Sequence, residues 1–448
     1  MHVRSRCLCD IPAQRPGDIS MPDFLTARQL HLTGSVPVLL ALAACAAAAV
    51  EASATDTDTT MRTYAADLEF LQQHSDVIEL RHDDSDARLC LVPAWQGRVM
   101  TSAASADGNS YGWLNYELIE NGVLPAEQRQ GLDAHILAFG GEERFWIGPE
   151  GGQFSSFFAP GTTFDFENWI VPSFIDTDPW HLVSKTESRA KFRHRVDVLN
   201  WSGHTWQMQV DREVVLLTSD DLEQALDTDL PPTVRAVANE TTNTITNRGE
   251  ESWDEVSGMP SIWILGMMNH GSETTVVIPF ETQGQDLGSV VTDDYFGKVP
   301  AGRLVVNEAG GVLYFSADGK YRSKIGISPG RSKGVAGSWD ALNNALTIVQ
   351  YSLPEPDRSQ YVNSLWEKQD DPFAGDAINS YNDGPVGDDQ LGPFYEIETS
   401  SPALGLAPGE SYTHTHRTIH LEGSVAELDA IARKIFGVSL ATIEAALP

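Results

Sequence analysis

The chain has 448 residues, 41% of them hydrophobic and 9% aromatic, so it can bury a large core and is not a disordered chain. Its 63 acidic and 30 basic residues give a formal net charge of −33. A surface this acidic repels phosphate backbones, which argues against a nucleic-acid partner. Three of the four cysteines precede residue 50, so Cys90 would stand alone in a processed chain, and no disulfide framework is expected.

Residues 1–54 are predicted to be an N-terminal extension and signal peptide. The stretch "VPVLLALAACAAAAV", residues 36–50, is an apolar run with the length of a signal-peptide core. "LAAC" at 42–45 resembles a bacterial lipoprotein box, whereas "ASA" at 52–54 fits ordinary signal peptidase. The chain is therefore expected to be exported, either to the periplasm or to the cell envelope through a lipid on Cys45, which is the expected contact with a membrane.

Residues 60–448 are predicted to form a single, mainly β domain. After a short amphipathic helix at 61–73, β-branched or alternating runs recur between clusters of Gly, Asn, Asp and Pro, as antiparallel sheets require. These runs predict strands at 87–94, 194–201, 205–217, 243–249, 261–268, 274–280, 303–317, 345–353, 394–399 and 411–421. The expected architecture is one large β-sandwich with long functional loops.

Two helices are predicted at the C-terminus. The first begins with a capping box formed by Ser424 and Glu427 and ends at Gly437. The second, in "SLATIEAAL", is expected to close one end of the sandwich.

The stretch "FYEIETSSPALGLAPGESYTHTHRTIHL", residues 394–421, places polar side chains at alternate positions of two strands. Glu396 and Glu398 alternate in the first strand, and His414, His416 and His420 in the second. If the two strands pair, carboxylates and imidazoles share one face. The pattern fits an acid/base or sugar-binding site, a metal site of His414 and His416 with a glutamate, or a solvated or hydrogen-bonded polar strand face.

A second rich stretch, "FGGEERFWIGPEGGQFSSFF", combines aromatic and charged residues and is followed by "FDFENWIVPSFIDTDPWHL". Aromatic faces beside a few fixed polar groups suit a sugar, whose C–H face stacks while its hydroxyls pair with charges. The alternative is a buried aromatic cluster under a long loop. The candidate ligand-binding residues are Arg144, Trp146, Glu150, Trp169 and Asp176.

A third stretch, residues 361–389, contains "GDAINSYNDGP", a string of turn-forming residues that predicts a long irregular loop. Asp376, Asn379 and Asp383 are its candidate ligand-binding residues, and a solvated surface loop is the alternative. Lys324 and Arg331 are further basic candidates, either for the carboxylate of an acidic sugar or for the protein's own acids.

The motifs "GGEERFWIGPEGGQFSSFF", "SIWILGM", "GDAINSYNDGP" and "YEIETSSPALGLAPGESYTHTHRTIHL" resemble those of the galactose mutarotase-like superfamily, and more closely a bacterial exported family of uncharacterised function within it. The resemblance implies a supersandwich of two large antiparallel sheets with a sugar-sized groove. It also implies that Glu398, in an "E-T-S" strand, takes the place of the base of sugar epimerases.

The histidine expected as the acid of such epimerases does not carry over. The central strand reads "MPSIWILGMMNHG", with Trp263 near the expected place and His270 after it. The leading hypothesis is an exported carbohydrate-binding protein without a cofactor. One alternative is an aldose 1-epimerase-like or other carbohydrate-active enzyme with Glu398 as base and His414, His416 or His270 as acid. The second alternative is a protein that binds a metal through His414 and His416.

Overall fold

Antiparallel strands make up most of the computed structural model, which describes residues 61–83, 85–284, 287–353, 358–386 and 390–448. The helices are α1 (Tyr64–His74), α2 (Tyr116–Asn121), α3 (Ser219–Leu226), α4 (Val425–Phe436) and α5 (Leu440–Glu444). The strands are β1 (Ile78–Arg81), β2 (Arg88–Val92), β3 (Arg98–Ala103), β4 (Arg144–Gly148), β5 (His181–Lys185), β6 (Arg189–Leu199), β7 (Thr205–Leu216), β8 (Arg235–Asn247), β9 (Ser261–Leu265), β10 (Met267–Met268), β11 (Thr274–Pro279), β12 (Leu304–Asn307), β13 (Val312–Ser316), β14 (Ser323–Ile327), β15 (Val335–Asp340), β16 (Ala345–Tyr351), β17 (Ile378–Asn382), β18 (Tyr395–Ser400) and β19 (Ser411–Glu422).

The strands form two large sheets and a small one. The larger sheet has ten strands in the order β12-β13-β11-β15-β16-β19-β8-β7-β6-β5. The second has six, in the order β14-β17-β18-β9-β4, with β10 pairing with β18, and the small sheet is β1-β2-β3. The predicted mainly β class with two large antiparallel sheets is confirmed.

The two large sheets pack face to face because alternate residues of each strand point to opposite faces. From the six-stranded sheet, Phe145, Ile264 and Ile397 face inward. They join residues of the ten-stranded sheet such as Val210 and Val349 in the apolar core. The intervening residues of the six-stranded sheet face away from this core, and this outer face carries the site described below.

The C-terminal helices cover the outer face of the ten-stranded sheet. The predicted capping box is present in α4, where Ser424 and Glu427 bond reciprocally, and Gly437 follows the helix with a φ of 77°. Leu428 and Ile431 pack on Ile348 and other strand residues. The prediction that the second helix closes an end of the sandwich is wrong, because α5 packs in the same cluster on the sheet face.

Every predicted strand overlaps an observed one, but the runs 261–268 and 303–317 are each divided into two strands, the run 243–249 covers only the end of β8, and several strands were not predicted. The prediction of a loop over 361–389 is wrong at residues 378–382, which form β17 between β14 and β18. The predicted helix near 61–73 is present as α1. No helix in the described ranges is long and apolar enough to cross a membrane. The predicted signal peptide, lipoprotein box and Cys45 lie outside the described residues.

Candidate functional site

An open cavity of about 800 Å³ lies on the outer face of the six-stranded sheet. Eight of the residues predicted to contact a ligand line it: Arg144, Trp146, Glu150, Trp169, Lys324, Asp383, Glu396 and Glu398.

Strand alternation brings the charged residues of the cavity together. Glu396 and Glu398 occupy alternate positions of β18, and the residues between and beside them, Ile397 and Tyr395, face the core. The register pairs Glu396 with Tyr381 of β17. Both carboxylates therefore point to the cavity, as the sequence pattern predicts.

Glu398 is held at one oxygen and left open at the other. Its Oε2 accepts hydrogen bonds from Nζ of Lys324, at 2.8 Å, and from Nε1 of Trp263, at 2.9 Å. The ion pair is almost fully buried, with 7% of the lysine side chain and 1% of the glutamate side chain exposed. Oε1 of Glu398 is buried and has no hydrogen-bond partner among the described residues.

Arg144 and Glu396 form a second buried ion pair in the cavity. Nη2 of Arg144 donates to Oε1 of Glu396 at 2.7 Å, and its guanidinium lies 4.5 Å from the ring centre of Trp146. Burial raises the pKa of Glu396 to about 7, although the charge of Arg144 opposes the shift, and the negative charge of Glu398 adds to it. This carboxyl group is therefore easier to protonate than an ordinary glutamate.

Aromatic side chains surround these ion pairs. The rings of Trp169 and Trp366 stack with their centres 5.6 Å apart, and the rings of Trp146 and Trp263 meet edge to face at 5.5 Å. The indole N–H groups of Trp146 and Trp169 are buried and have no acceptor in the described part of the chain. The wall of the cavity is thus built from packed aromatic rings, and two of them carry donors without an acceptor in the described residues.

Two further acids of the cavity are bonded to tyrosine hydroxyls. Tyr295 donates to Glu150 at 2.7 Å, and Tyr381 donates to Asp383. Burial raises the pKa of both carboxyl groups, against the opposing effect of these hydrogen bonds.

Asp376 and Asn379 do not line this cavity but a neighbouring one of about 770 Å³. Lys324 and Trp263 line both cavities, so the two share a wall. Burial raises the pKa of Asp376 to about 6, which Thr292 opposes by donating to the carboxylate at 3.3 Å. The structure therefore separates two residues that were predicted to share one site with Asp383.

The prediction of Asp176 as a ligand contact is not supported by its position. Its Oδ2 accepts the backbone N–H of Leu137 at 2.9 Å, and it is absent from the lining of both cavities. Its role is to hold the chain around residue 137. Arg331 bonds the backbone carbonyls of Glu281 and Gly288 and is likewise outside both cavities.

The expectation that the glutamate and histidine strands pair is wrong. β18 belongs to the six-stranded sheet and β19 to the ten-stranded sheet. His414 and His416 face the space between the sheets, where both bond the hydroxyl of Thr399 at 2.9 Å. Because Thr399 points opposite to Glu398 on β18, the histidines lie on the other side of the sheet from the cavity.

These histidines are therefore placed as buried structural groups and not as catalytic acids. Burial lowers the pKa of both imidazoles to about 3. The third histidine of the pattern, His420, bonds Thr347 and Glu142. His270 is not in the lining of the cavity either. The predicted metal site required His414 and His416 to lie beside Glu396 or Glu398, but the histidines and the glutamates are on opposite sides of the sheet. The described residues contain no cluster of three or more metal-ligating groups.

Sequence reasoning did not select several lining residues. Trp263, Phe296, Arg322 and Trp366 line the cavity, and Trp263 bonds the central carboxylate directly. Trp366 lies in a stretch already singled out for its loop composition. Arg322 lies two positions from Lys324, so the alternation of a strand is the signal that could have linked them.

The fold and site define a mainly β protein with an open cavity lined by aromatic residues and buried ion pairs. The chain belongs to a family described as a family of unknown function (DUF6786), whose model matches residues 62–447. No curated protein matches the sequence significantly.

Several solved structures are similar to this chain at low sequence identity. A galactose mutarotase-like protein from Lactobacillus casei is 10% identical, with 78% of this chain and 100% of that chain covered and a TM-score of 0.41. A galactose mutarotase related enzyme from Lactobacillus acidophilus is 9% identical, with 77% and 97% covered and a TM-score of 0.42. The Slr1438 protein from Synechocystis is 13% identical, with 78% and 96% covered and a TM-score of 0.44.

Proposed function

We propose that this chain binds a carbohydrate in the main cavity. The observation that carries the proposal is that Glu398, a lining residue of the cavity, has a buried carboxylate oxygen, Oε1, without a partner in the described residues. A buried acceptor left unpaired costs about 1–3 kcal/mol. A ligand hydroxyl that donates to this oxygen removes that cost, so a ligand rich in hydroxyl groups is favoured.

Aromatic side chains of the cavity support the same class of ligand. Trp146 lies against the guanidinium of Arg144 and Trp169 stacks on Trp366, so these two residues contribute indole N–H groups without an acceptor in the described residues. Accessible ring surface for the C–H face of a sugar comes from Phe166 and Phe296, which line the cavity and are 40% and 37% exposed. Arg144 and Lys324, already ordered by their ion pairs, add fixed donors.

The test is calorimetric titration of the purified protein with a panel of neutral and acidic mono- and oligosaccharides. Glu398→Gln is expected to weaken binding about 10-fold or more, because a charge-assisted hydrogen bond is lost. Trp169→Phe, which removes the unpaired N–H, is expected to weaken it several-fold. The matched control is Trp339→Phe, since that indole bonds Glu444 outside the cavity. Equal affinity in Glu398→Gln and wild type would refute the site.

A second candidate function is aldose 1-epimerase-like turnover of the bound sugar. Two observations favour this function. The pKa of Glu396 is raised to about 7, and Glu396 lies two residues from Glu398 on the same face of β18. A protonated carboxyl and an ionised one, present together, supply an acid and a base. In this proposal Glu398 accepts the proton of the anomeric hydroxyl through Oε1, and Glu396 replaces the histidines as acid.

Proton NMR of freshly dissolved sugars separates turnover from binding. Accelerated exchange between anomers that Glu396→Gln and Glu398→Gln both abolish is the expected result for an enzyme. Line broadening with exchange at the rate of the buffer alone would exclude turnover and keep binding.

We further propose export of the chain, supported by the apolar segment at residues 36–50 and the small residues that follow it. Mass spectrometry of the protein recovered from its bacterial host is the test. A mature N-terminus at Cys45 with an added lipid mass would indicate anchoring, and one after residue 54 would indicate secretion. A chain that keeps its first 40 residues would refute export.

A further inference from the structure

Arg322 is a cation of the main cavity that has no acidic partner in the described part of the chain. The other two cations of the cavity are paired, Arg144 with Glu396 at 2.7 Å and Lys324 with Glu398 at 2.8 Å. Arg322 lines the same cavity, and its Nε is buried without a hydrogen-bond partner. Within the described residues, its charge is therefore not neutralised by a direct contact.

The two acids of the cavity that are influenced by the charge of Arg322, Glu150 and Asp383, form hydrogen bonds with other residues. The positive charge of Arg322 lowers the pKa of Glu150 and Asp383, but only as a lesser influence on groups whose pKa burial raises. Their carboxylates accept hydrogen bonds from Tyr295 and Tyr381 instead. No ion pair joins either acid to Arg322 in the described residues.

An aromatic ring fixes the guanidinium in place. Cζ of Arg322 lies 4.1 Å from the ring centre of Phe296, which also lines the cavity. When a guanidinium group stacks on a ring face, its N–H donors point outward in the guanidinium plane. Two of these parallel N–H groups match the two oxygens of a carboxylate. The side chain of Arg322 is already ordered before a ligand binds, so little conformational entropy is lost on binding.

We propose that Arg322 recognises the carboxylate of an acidic sugar, so that the ligand class is uronic acids or oligosaccharides that contain them. This inference rests on the proposed carbohydrate-binding function. A planar, singly charged carboxylate suits one arginine fork, which binds it through two parallel hydrogen bonds. A phosphate carries a charge of about −1.5 to −2 at neutral pH and would be repelled more strongly by the four acids that line the cavity.

The experiment compares sugars that differ only in the acidic group: glucose with glucuronate, galactose with galacturonate, and glucose 6-phosphate as the phosphate probe. Calorimetric titration of the full protein is expected to show about 10-fold or more tighter binding of the uronate than of its neutral partner. Arg322→Gln is expected to reduce this ratio to about 2 or less. Raising the salt concentration is expected to reduce the ratio in the wild type.

Two variants make the result specific to this side chain. Arg81→Gln changes the net charge by the same amount on an exposed part of the small sheet, and it is expected to keep the preference for uronates. Arg322→Lys keeps the charge without the fork, so an intermediate ratio is expected.

A preference for uronates that survives Arg322→Gln would overturn the assignment, as would equal binding of acidic and neutral sugars or a preference for the phosphate. Each of these outcomes leaves the carbohydrate site itself in place. Failure of every sugar to bind would overturn the assignment together with the proposed function.

Discussion

The buried ion pair of Lys324 and Glu398 makes the stability of the protein sensitive to one neutralising substitution. Glu398→Gln leaves the ammonium group, 93% of whose side chain is buried, without its charged partner. Removal of one partner of a buried pair typically costs about 3–5 kcal/mol. The rings of Trp263 and Tyr295, 4.7 and 5.1 Å from Nζ, still contact the cation. They place the expected loss near the lower end, at about 3 kcal/mol.

Urea unfolding followed by tryptophan fluorescence measures this loss. The double variant Lys324→Met with Glu398→Gln carries neither charge, so it is expected to be more stable than Glu398→Gln alone by about 2 kcal/mol. The matched control is Glu213→Gln, which breaks an exposed pair with Arg189 and is expected to cost less than about 1 kcal/mol. A loss below about 1 kcal/mol for Glu398→Gln, without recovery in the double variant, would refute the reasoning.

Three further predictions concern pH and backbone conformation. Burial raises the pKa of Glu396 to about 7, and protonation of this residue removes a negative charge from the cavity. Uronate affinity measured by calorimetry should therefore rise as the pH falls from 8 to 6, and it should not change with pH in Glu396→Gln. His416 has a folded pKa of about 3 against about 6.5 when unfolded, so it binds more protons in the unfolded chain and its contribution to stability is lost as the pH falls below about 6.5. The stability difference between wild type and His416→Asn, from urea unfolding, should therefore decrease by up to about 1.4 kcal/mol per pH unit, and a constant difference would contradict the assigned burial. Gly437→Ala should lower the free energy of unfolding, measured by thermal unfolding, by about 1 kcal/mol because Gly437 has a φ of 77°. The control is Gly302→Ala, which should be nearly neutral because the new Cβ makes an ordinary contact at 3.6 Å.

The strands that were predicted from sequence are those whose residues are all buried or alternate clearly between buried and exposed positions. β7 alternates over most of its twelve residues, and β19 alternates from Ser411 to Thr418, so their period is visible without structural information. β17 was mistaken for a loop because "INSYN" contains two asparagines, which favour turns in isolation. Pairing with β14 and β18 outweighs this local preference, since both neighbours satisfy its backbone groups.

The candidate site was predicted in its composition but not in its geometry. Glu396 and Glu398 share a face because strand alternation is a local property, and the structure has them in the cavity. The partners of that strand depend on sheet topology, which a short connecting segment does not determine. The assumed hairpin placed His414 beside the glutamates, whereas the chain crosses between sheets at residues 401–410 and places the imidazole in the core.

The most direct test of a carbohydrate site follows the indole N–H signals of the tryptophans by ¹H–¹⁵N NMR while sugars are added. Binding in the cavity predicts saturable shifts for Trp146, Trp169 and Trp263, with the signal of Trp339 unchanged. Glucuronate should produce these shifts at lower concentration than glucose. Saturable binding that leaves the three cavity signals in place would contradict the account, and so would the absence of shifts with every sugar tested.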